Sequence, residues 1–484
     1  MSPVARLEIS PETITRLEEI VTMRVESQGT PGVFATLFQG DGIIYEKGAG
    51  VRRIGAEVPD SDTTFRIASC TKSFTITALL MLRDAGKLNL DQLITDFVPE
   101  FSQSDVGTTK TIPTLRQLAS MSSGLPTDDP WADRQESISG LELREIVKRG
   151  VISTSAAGEL FQYSNLGFAL LGQVIESVSG VDFCELVTME ILKPLGMHES
   201  GFNRSDFPEN HVATGYRKVG QSWLALPFSS SGAFSCIGGL FSSGKDLRIW
   251  SKWLHSAFDE ATAETGPLSA SSRREMQFIT TITPIDTDLG TLPKNVVRTS
   301  GYGLGLFIEY DQRFGQFVSH SGGYPGFSSH MRWHVPTGLS VVVLENATYS
   351  GAAATATNLL DTALEGLNFE LPKAEVFPET YELAKKADVL IRQWDETLAR
   401  EICAENVDLD IPFSEREESI HNLVLEVGGL IGSQLLEVES SDSPMHILWR
   451  IPGVAGSLRC EIRLSPNTPP RIQILRVNKF MAEN

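Results

Sequence analysis

"FRIASCTKSF", residues 65–74, sets Ser69 and Lys72 three positions apart, where a strand-like segment gives way to a long apolar run. The continuation "SFTITALLMLRDAGKL" has the spacing of a helix, with Gly86 placed to cap its end. Side chains at i and i+3 on a helix share a face, so the serine and lysine can touch. Two readings follow. A serine at a helix start is an ordinary N-cap beside a solvated lysine. Alternatively, a lysine whose pKa is lowered by burial or nearby positive charge takes the serine proton and leaves an activated hydroxyl near unsatisfied helix N–H groups. The pair alone does not choose, because S-x-x-K arises by chance in chains of this length.

Working outward, Ser10-Pro11 is an N-cap and first-turn pair, and Ile14, Leu17, Ile20, Val21 and Val25 recur at helical spacing up to Gly29. Two β-rich runs around "QGDG" (39–42) read as a hairpin. Four later stretches, "YGLGLFIEY", "QFVSHSGG", "SSHMRWHV" and "LSVVVLEN", read as further strands, while the middle of the region is mostly helical. Strands at both ends of a helical middle predict an α/β (α+β) sandwich. Its antiparallel sheet is flanked by helices and carries an inserted all-helical subdomain. Residues 1–370 are expected to form this domain. The Pro-rich stretch around 366–380 reads as a linker, and 376–484 as a small α+β domain. There Leu383, Ala387, Leu390, Ile391, Trp394, Leu398 and Ile402 form one helical stripe. Leu458, Cys460, Ile462 and Leu464 alternate with charged residues, as in a half-buried strand.

The 484 residues carry a formal charge of −20, which repels phosphate backbones and anionic lipid, so neither nucleic acid nor a membrane surface is an expected partner. No apolar run approaches the roughly 20 residues of a membrane helix. The opening "MSPVARLEIS" lacks the apolar core of a secretory signal, and five widely spaced cysteines without a CxxC suit reduced thiols; a cytoplasmic location is expected.

Two further elements join the serine–lysine pair. "ELFQYSNLGFALLG" holds Tyr163 and Asn165 as Y-x-N, and in "SHSGGYPGF" His320, Ser321 and Gly322 read as the end of a strand-like segment before a glycine-rich turn that begins with Gly323. With these three in order, the chain over residues 10–365 resembles the serine β-lactamase and penicillin-recognising superfamily, in its class C, esterase and D-amino-acid peptidase branch. "TLRQLASMSSGLP", "PLGMHESGF" and "GGLFSSGKDL" are similar to the segments between that superfamily's motifs. The resemblance implies Ser69 as the nucleophile of an acyl-enzyme, with Lys72 and Tyr163 sharing proton transfer. It implies Asn165 bonding Lys72 or a substrate amide, and an oxyanion hole from the N–H groups of Ser69 and Gly323, with Gly322 allowing close approach. Either Lys72 or Tyr163 can be the principal base.

His320 departs from the pattern, since penicillin-binding members commonly carry a lysine there. A partly charged histidine weakens carboxylate recognition and shifts the expectation toward neutral esters or amides. The expected function is a serine hydrolase of a small ester or amide, foremost a carboxylesterase. The alternatives are a D-amino-acid peptidase, amidase, peptide acyltransferase or cyclase, a β-lactamase, or a silent member that only binds ligand. Either water or an amine can accept the acyl group. Homo-oligomers are compatible with this reading, and the C-terminal unit can cover the cleft, mediate dimerisation or stabilise the fold.

No cofactor is expected. His330 and His334 in "HMRWH" are four apart, but in a strand-like pattern without acidic companions, so no metal is expected. Cys70 reads as packing. "WADRQES" (131–137) reads either as a loop bordering a cleft or as a surface loop with a buried Trp131.

Overall fold

The computed structural model describes residues 7–107, 111–259, 266–284, 296–371, 374–432 and 436–480. Contacts divide the chain into two units, 1–370 and 371–484. In the first, an eight-stranded antiparallel sheet runs Gly42–Gly50, Gly32–Gln39, Leu339–Glu345, Phe327–His334, Gly315–Tyr324, Phe307–Asp311, Arg298–Tyr302, Thr281–Ile282. The first hairpin of the chain thus pairs with its last strand, Val33 opposite Glu345 and Leu37 opposite Val341.

Side-chain alternation explains the layers. Val33, Ala35, Leu37, Val341 and Val343 pack against the helices Pro11–Glu26 and Ala352–Gly366. Phe34, Phe38, Val342 and Leu344 point the other way, into a core shared with the helix Gly244–His255 and the helical insertion. Because "LSVVVLE" is covered on both faces, it reads as a continuous apolar run rather than an alternating one. Ser10 caps the first helix, its Oγ accepting the Thr13 N–H, as the Ser-Pro pair implied.

Three expectations need correction. "YGLGLFIEY" is two strands, because Gly303–Leu306 turns the chain between them and Gly305 sits at φ +74°. The Gly315–Tyr324 strand does not end at His320–Gly322 but carries these residues along its edge. In the second unit the stripe 383–402 is two helices, Pro378–Arg392 and Glu396–Ile402, broken where Asp395 accepts the Thr397 N–H at 2.8 Å as an N-cap.

The second unit contains two further helices, Glu405–Asp410 and Phe413–Glu426, and a four-stranded antiparallel meander, Glu437–Ser440, His446–Gly453, Gly456–Leu464, Ile472–Phe480. Trp449, Ile451, Leu458, Cys460 and Ile462 form its core with Ala384, Ala387 and Leu390. Among the described residues no single helix is long and apolar enough to cross a membrane.

Candidate active site

Ser69 lies in a 3-10 turn, Ala68–Cys70, that leads into the helix Thr71–Asp84. No side chain caps this helix start, so Ser69 is not spent on the local role that a helix-start serine usually fills. Ala68, immediately before it, has φ +49°, a left-handed conformation that costs an L-residue energy and persists only where its surroundings enforce it. The enforcement is visible. Ser329 Oγ donates to the Ile67 carbonyl at 2.6 Å, the Cys70 thiol donates to the His320 carbonyl at 3.2 Å, and Thr71 Oγ1 donates to the Ala68 carbonyl at 2.7 Å. The first two bonds fasten the turn to the hairpin of Gly315–Tyr324 and Phe327–His334, and the third ties it to the start of its own helix. Cys70 is fully buried and burial pushes its thiol up to about 12, in keeping with packing rather than reactivity.

Lys72 is 0% exposed, and its Nζ lies 2.9 Å from Ser69 Oγ and donates to the Ile237 carbonyl at 2.9 Å. Desolvation pulls its pKa down to about 8, against the attraction of Asp129, Asp133 and Asp128. Tyr163 brings its ring centroid within 5.1 Å of the same ammonium, and burial first, then Tyr302 and Asp129, push its phenol well above its ordinary range against the opposing pull of Ser69. Ser69, Lys72 and Tyr163 therefore meet although Tyr163 comes from a distant part of the insertion.

Asn165, the first residue of the helix Asn165–Ser179, is placed differently. Its Nδ2 donates to Asp129 at 2.6 Å rather than meeting Lys72, and its Oδ1 has no hydrogen-bond partner. Asp128 accepts the backbone N–H groups of Asn165 and Leu166 at 2.7 and 2.9 Å, closing the helix N-terminus.

The edge of the Gly315–Tyr324 strand faces the serine. Its neighbour on that side pairs only as far as Ser319, so His320 to Tyr324 project beyond it. On the other side a two-residue turn joins Tyr324 to Phe327, which makes Tyr324/Phe327 and Gly322/Ser329 the hydrogen-bonded pairs. Gly323, between them, points its N–H to the open edge. Gly322 is required by crowding, since a Cβ there would stand 2.2 Å from the Ile67 carbonyl and 2.2 Å from Ser329 Oγ. Gly322→Ala should consequently cost about 1–3 kcal/mol by overpacking. Thermal denaturation checks this, and an unchanged Tm would contradict the close approach.

His320 is 1% exposed and neutral: burial and then Lys72 pull its pKa to about 3. Its Nδ1–H donates to the Ser321 carbonyl at 2.7 Å and its Nε2 accepts the Tyr302 hydroxyl at 3.1 Å. Both ring nitrogens are engaged, and the His320 ring offers the cleft no cationic charge. His330 and His334 lie in the Phe327–His334 strand; His330 Nδ1 bonds Ser321 Oγ at 2.9 Å and His334 Nδ1 bonds Thr337 Oγ1 at 2.8 Å.

These groups border a cavity of about 450 Å³ lined by Ser69, Tyr163, His320, Gly322 and Gly323, with Phe161 and Phe307 as an aromatic wall. Its lining also includes Asp129 and Tyr349, which sequence reasoning did not single out. Residues 131–137, "WADRQES", do not themselves line it; Asp133 reaches it only through Tyr349, and burial within the loop is the reverse of that expected. Trp131 is 43% exposed, whereas Asp133 is 5% exposed and accepts the Tyr349 hydroxyl. Glu136 from the same loop is buried in an ion pair with Arg66 and accepts the Tyr324 hydroxyl.

Comparisons with known proteins bear on the family and the fold. Protein flp of Staphylococcus aureus (strain COL) is 27% identical over 340 residues, 68% of this chain and 62% of that protein, so the chain spans less than two thirds of this relative's length. The octameric penicillin-binding protein homologue from Pyrococcus abyssi superposes with a TM-score of 0.60 at 21% identity, covering 96% of this chain and 99% of the other. A D-stereospecific amidohydrolase from Streptomyces sp. superposes with a TM-score of 0.56 at 24% identity, covering 73% of this chain and 98% of its own. The model of the Beta-lactamase family matches residues 17–364, most of the first unit, and the chain belongs to that family.

Proposed function

We propose that the protein is a serine hydrolase that forms an acyl-enzyme at Ser69 from a small ester or amide, with esters foremost. The observation that carries this reading is the fully buried Lys72 amine, 2.9 Å from Ser69 Oγ and held near pKa 8. Neutral Lys72 takes the Ser69 proton as Oγ attacks the substrate carbonyl. The N–H groups of Ser69 and Gly323 receive the oxyanion. Collapse expels the alcohol or amine, protonated through Tyr163, and water attacks the ester of Ser69 to return the enzyme. The raised pKa of Tyr163 favours a phenol that passes protons, and leaves Lys72 as the principal base. Neutral His320 supports a preference against carboxylate-bearing substrates such as β-lactams.

A fluorophosphonate should label Ser69 stoichiometrically by mass spectrometry. A panel of p-nitrophenyl esters, D- and L-amino-acid amides and a chromogenic cephalosporin should show turnover of the esters before the cephalosporin. Turnover without a Ser69 adduct would remove the covalent mechanism. On a neutral ester, kcat/KM should rise with pH along a limb centred near 8, as Lys72 loses its proton. No limb from His320 should appear between pH 5 and 7, since it is neutral throughout. A profile flat from pH 7 to 9 would remove Lys72 as the base.

A further inference from the structure

Tyr349 stands on a strained backbone beside the cleft. Its φ is +46°, a left-handed conformation that a bulky L-residue rarely adopts. Such strain persists only where the surroundings fix it, and here both neighbours are fastened. The Thr348 N–H donates to the Tyr216 carbonyl at 2.8 Å, and Thr348 Oγ1 donates to the same carbonyl at 3.0 Å. On the other side the Ser350 carbonyl accepts Arg24 Nη2, and Ser350 Oγ donates to Glu345. The side chain is tethered as well, since its hydroxyl donates to the buried Asp133. Yet Tyr349 is 49% exposed, so core packing does not account for a ring held at both of its ends.

The ring lies where a substrate must pass. A Cβ on Gly323 would stand 2.3 Å from Tyr349 Cδ1 and 2.6 Å from Cε1, so the ring edge rests against the residue whose N–H points to the open edge of the strand. Tyr349 lines the cavity together with Gly351 and Ala353. The opposite end belongs to Tyr163, whose ring is parallel to that of Phe307 at 6.3 Å and stands 6.4 Å from the His320 ring. His320 and Gly323 are three residues apart on one strand, roughly 10 Å along it, so Tyr163 and Tyr349 mark the two ends of the edge that faces Ser69. A leaving group protonated through Tyr163 departs toward Phe307. The acyl substituent, on the other side of the carbonyl carbon, is directed toward Tyr349.

We propose that Tyr349 is a specificity-determining residue, a fixed wall that limits the length of the acyl group seated at Ser69, with Asp133 as the positioning residue that tethers it. The proposal deepens the hydrolase reading above and rests on it for the direction in which the leaving group departs. Swinging the ring aside would break its bond to a buried carboxylate, so the wall is set before any substrate arrives. A short acyl chain fits in front of it, and a long one meets it. The alcohol lies at the other end, beside Phe161 and Phe307, and its size is not read by Tyr349.

The test varies one side of the ester at a time in the full chain. With p-nitrophenol as the constant leaving group, butyrate should exceed octanoate by about 10-fold or more in kcat/KM. In Tyr349→Ala that ratio should fall by about 10-fold, while the ratio of phenyl acetate to 2-naphthyl acetate, which varies only the alcohol, should stay within about 2-fold of the wild-type value. Tyr349→Phe keeps the ring and should keep most of the acyl preference. Octanoate matching butyrate in the wild-type protein, an alanine variant that keeps the wild-type acyl ratio or shifts the alcohol ratio as much, or a phenylalanine variant as permissive as alanine would each overturn the proposal. The wild-type and phenylalanine comparisons stand even if the alanine variant does not fold. Loss of all ester turnover in a folded chain would count against the hydrolase reading instead, and calorimetric binding of the two p-nitrophenyl esters to Ser69→Ala, with and without Tyr349→Ala, then reads the wall by itself. The four extra methylenes of octanoate should tighten binding by about 10-fold or more only where residue 349 has lost its ring, and an equal gain in both backgrounds would also overturn the proposal.

Discussion

Replacing Ser69 by alanine should reduce ester turnover by about 10⁵-fold in kcat/KM, a loss of about 7 kcal/mol of transition-state stabilisation. The size follows from the position of Oγ, since Ser69 lines the cavity and its Oγ lies 2.9 Å from the Lys72 amine. Without it neither the acyl-enzyme nor the proton transfer that forms it exists. What survives is binding and the pair of backbone donors, which elsewhere leave a residual acceleration over water. The fold should survive, because the hydroxyl caps no helix and the turn is fastened through Ser329, Cys70 and Thr71 rather than through Ser69. Steady-state hydrolysis of p-nitrophenyl butyrate, with fluorophosphonate labelling and the far-UV spectrum as controls, measures this. Full turnover by a folded Ser69→Ala protein would remove the nucleophile assignment.

The three short elements of the site were legible because each combines a chemical residue with a local structural signature. S-x-x-K starts a helix, Y-x-N starts another, and H-S-G-G sets two glycines within an otherwise apolar strand. The sandwich was legible for a related reason: strand and helix periods reach the sequence whenever one face is buried, as in Leu17 and Val21 of the first helix. The rest depends on contacts with no local period. Asp133 meets Tyr349 across 216 positions, and Arg66 meets Glu136 across 70. No spacing announces such pairs. In "WADRQES" composition even misdirects, because burial is expected of a tryptophan and exposure of an aspartate. The fold inverts both, with Trp131 exposed and Asp133 buried. The break at Gln393–Asp395 was hidden in turn because the apolar stripe continues on both sides of it, with Leu390 and Ile391 before and Leu398 and Ile402 after.

Lys72→Met should lower kcat/KM by about 10³–10⁴-fold, the range of a removed general base, and yet stabilise the fold. An ammonium held at a pKa of about 8 in place of 10.5 is charged in the folded protein at a cost of about 3 kcal/mol at neutral pH. Methionine fills similar volume without that cost, but it leaves the Ile237 carbonyl without its donor, a penalty of about 1–2 kcal/mol. The difference is a net gain of about 1–2 kcal/mol. Its sign with pH follows from proton binding. Between pH 8 and 10.5 the unfolded chain holds the Lys72 proton more tightly than the folded one, so wild-type stability rises there with pH relative to the variant. The advantage of Lys72→Met should be full below pH 8 and should shrink, then reverse, as pH approaches 10.5. Paired thermal denaturations at pH 7 and pH 10 measure it. An advantage that grows with pH would mean that the fold favours the charged lysine, and the buried amine would then be a poor base near neutral pH.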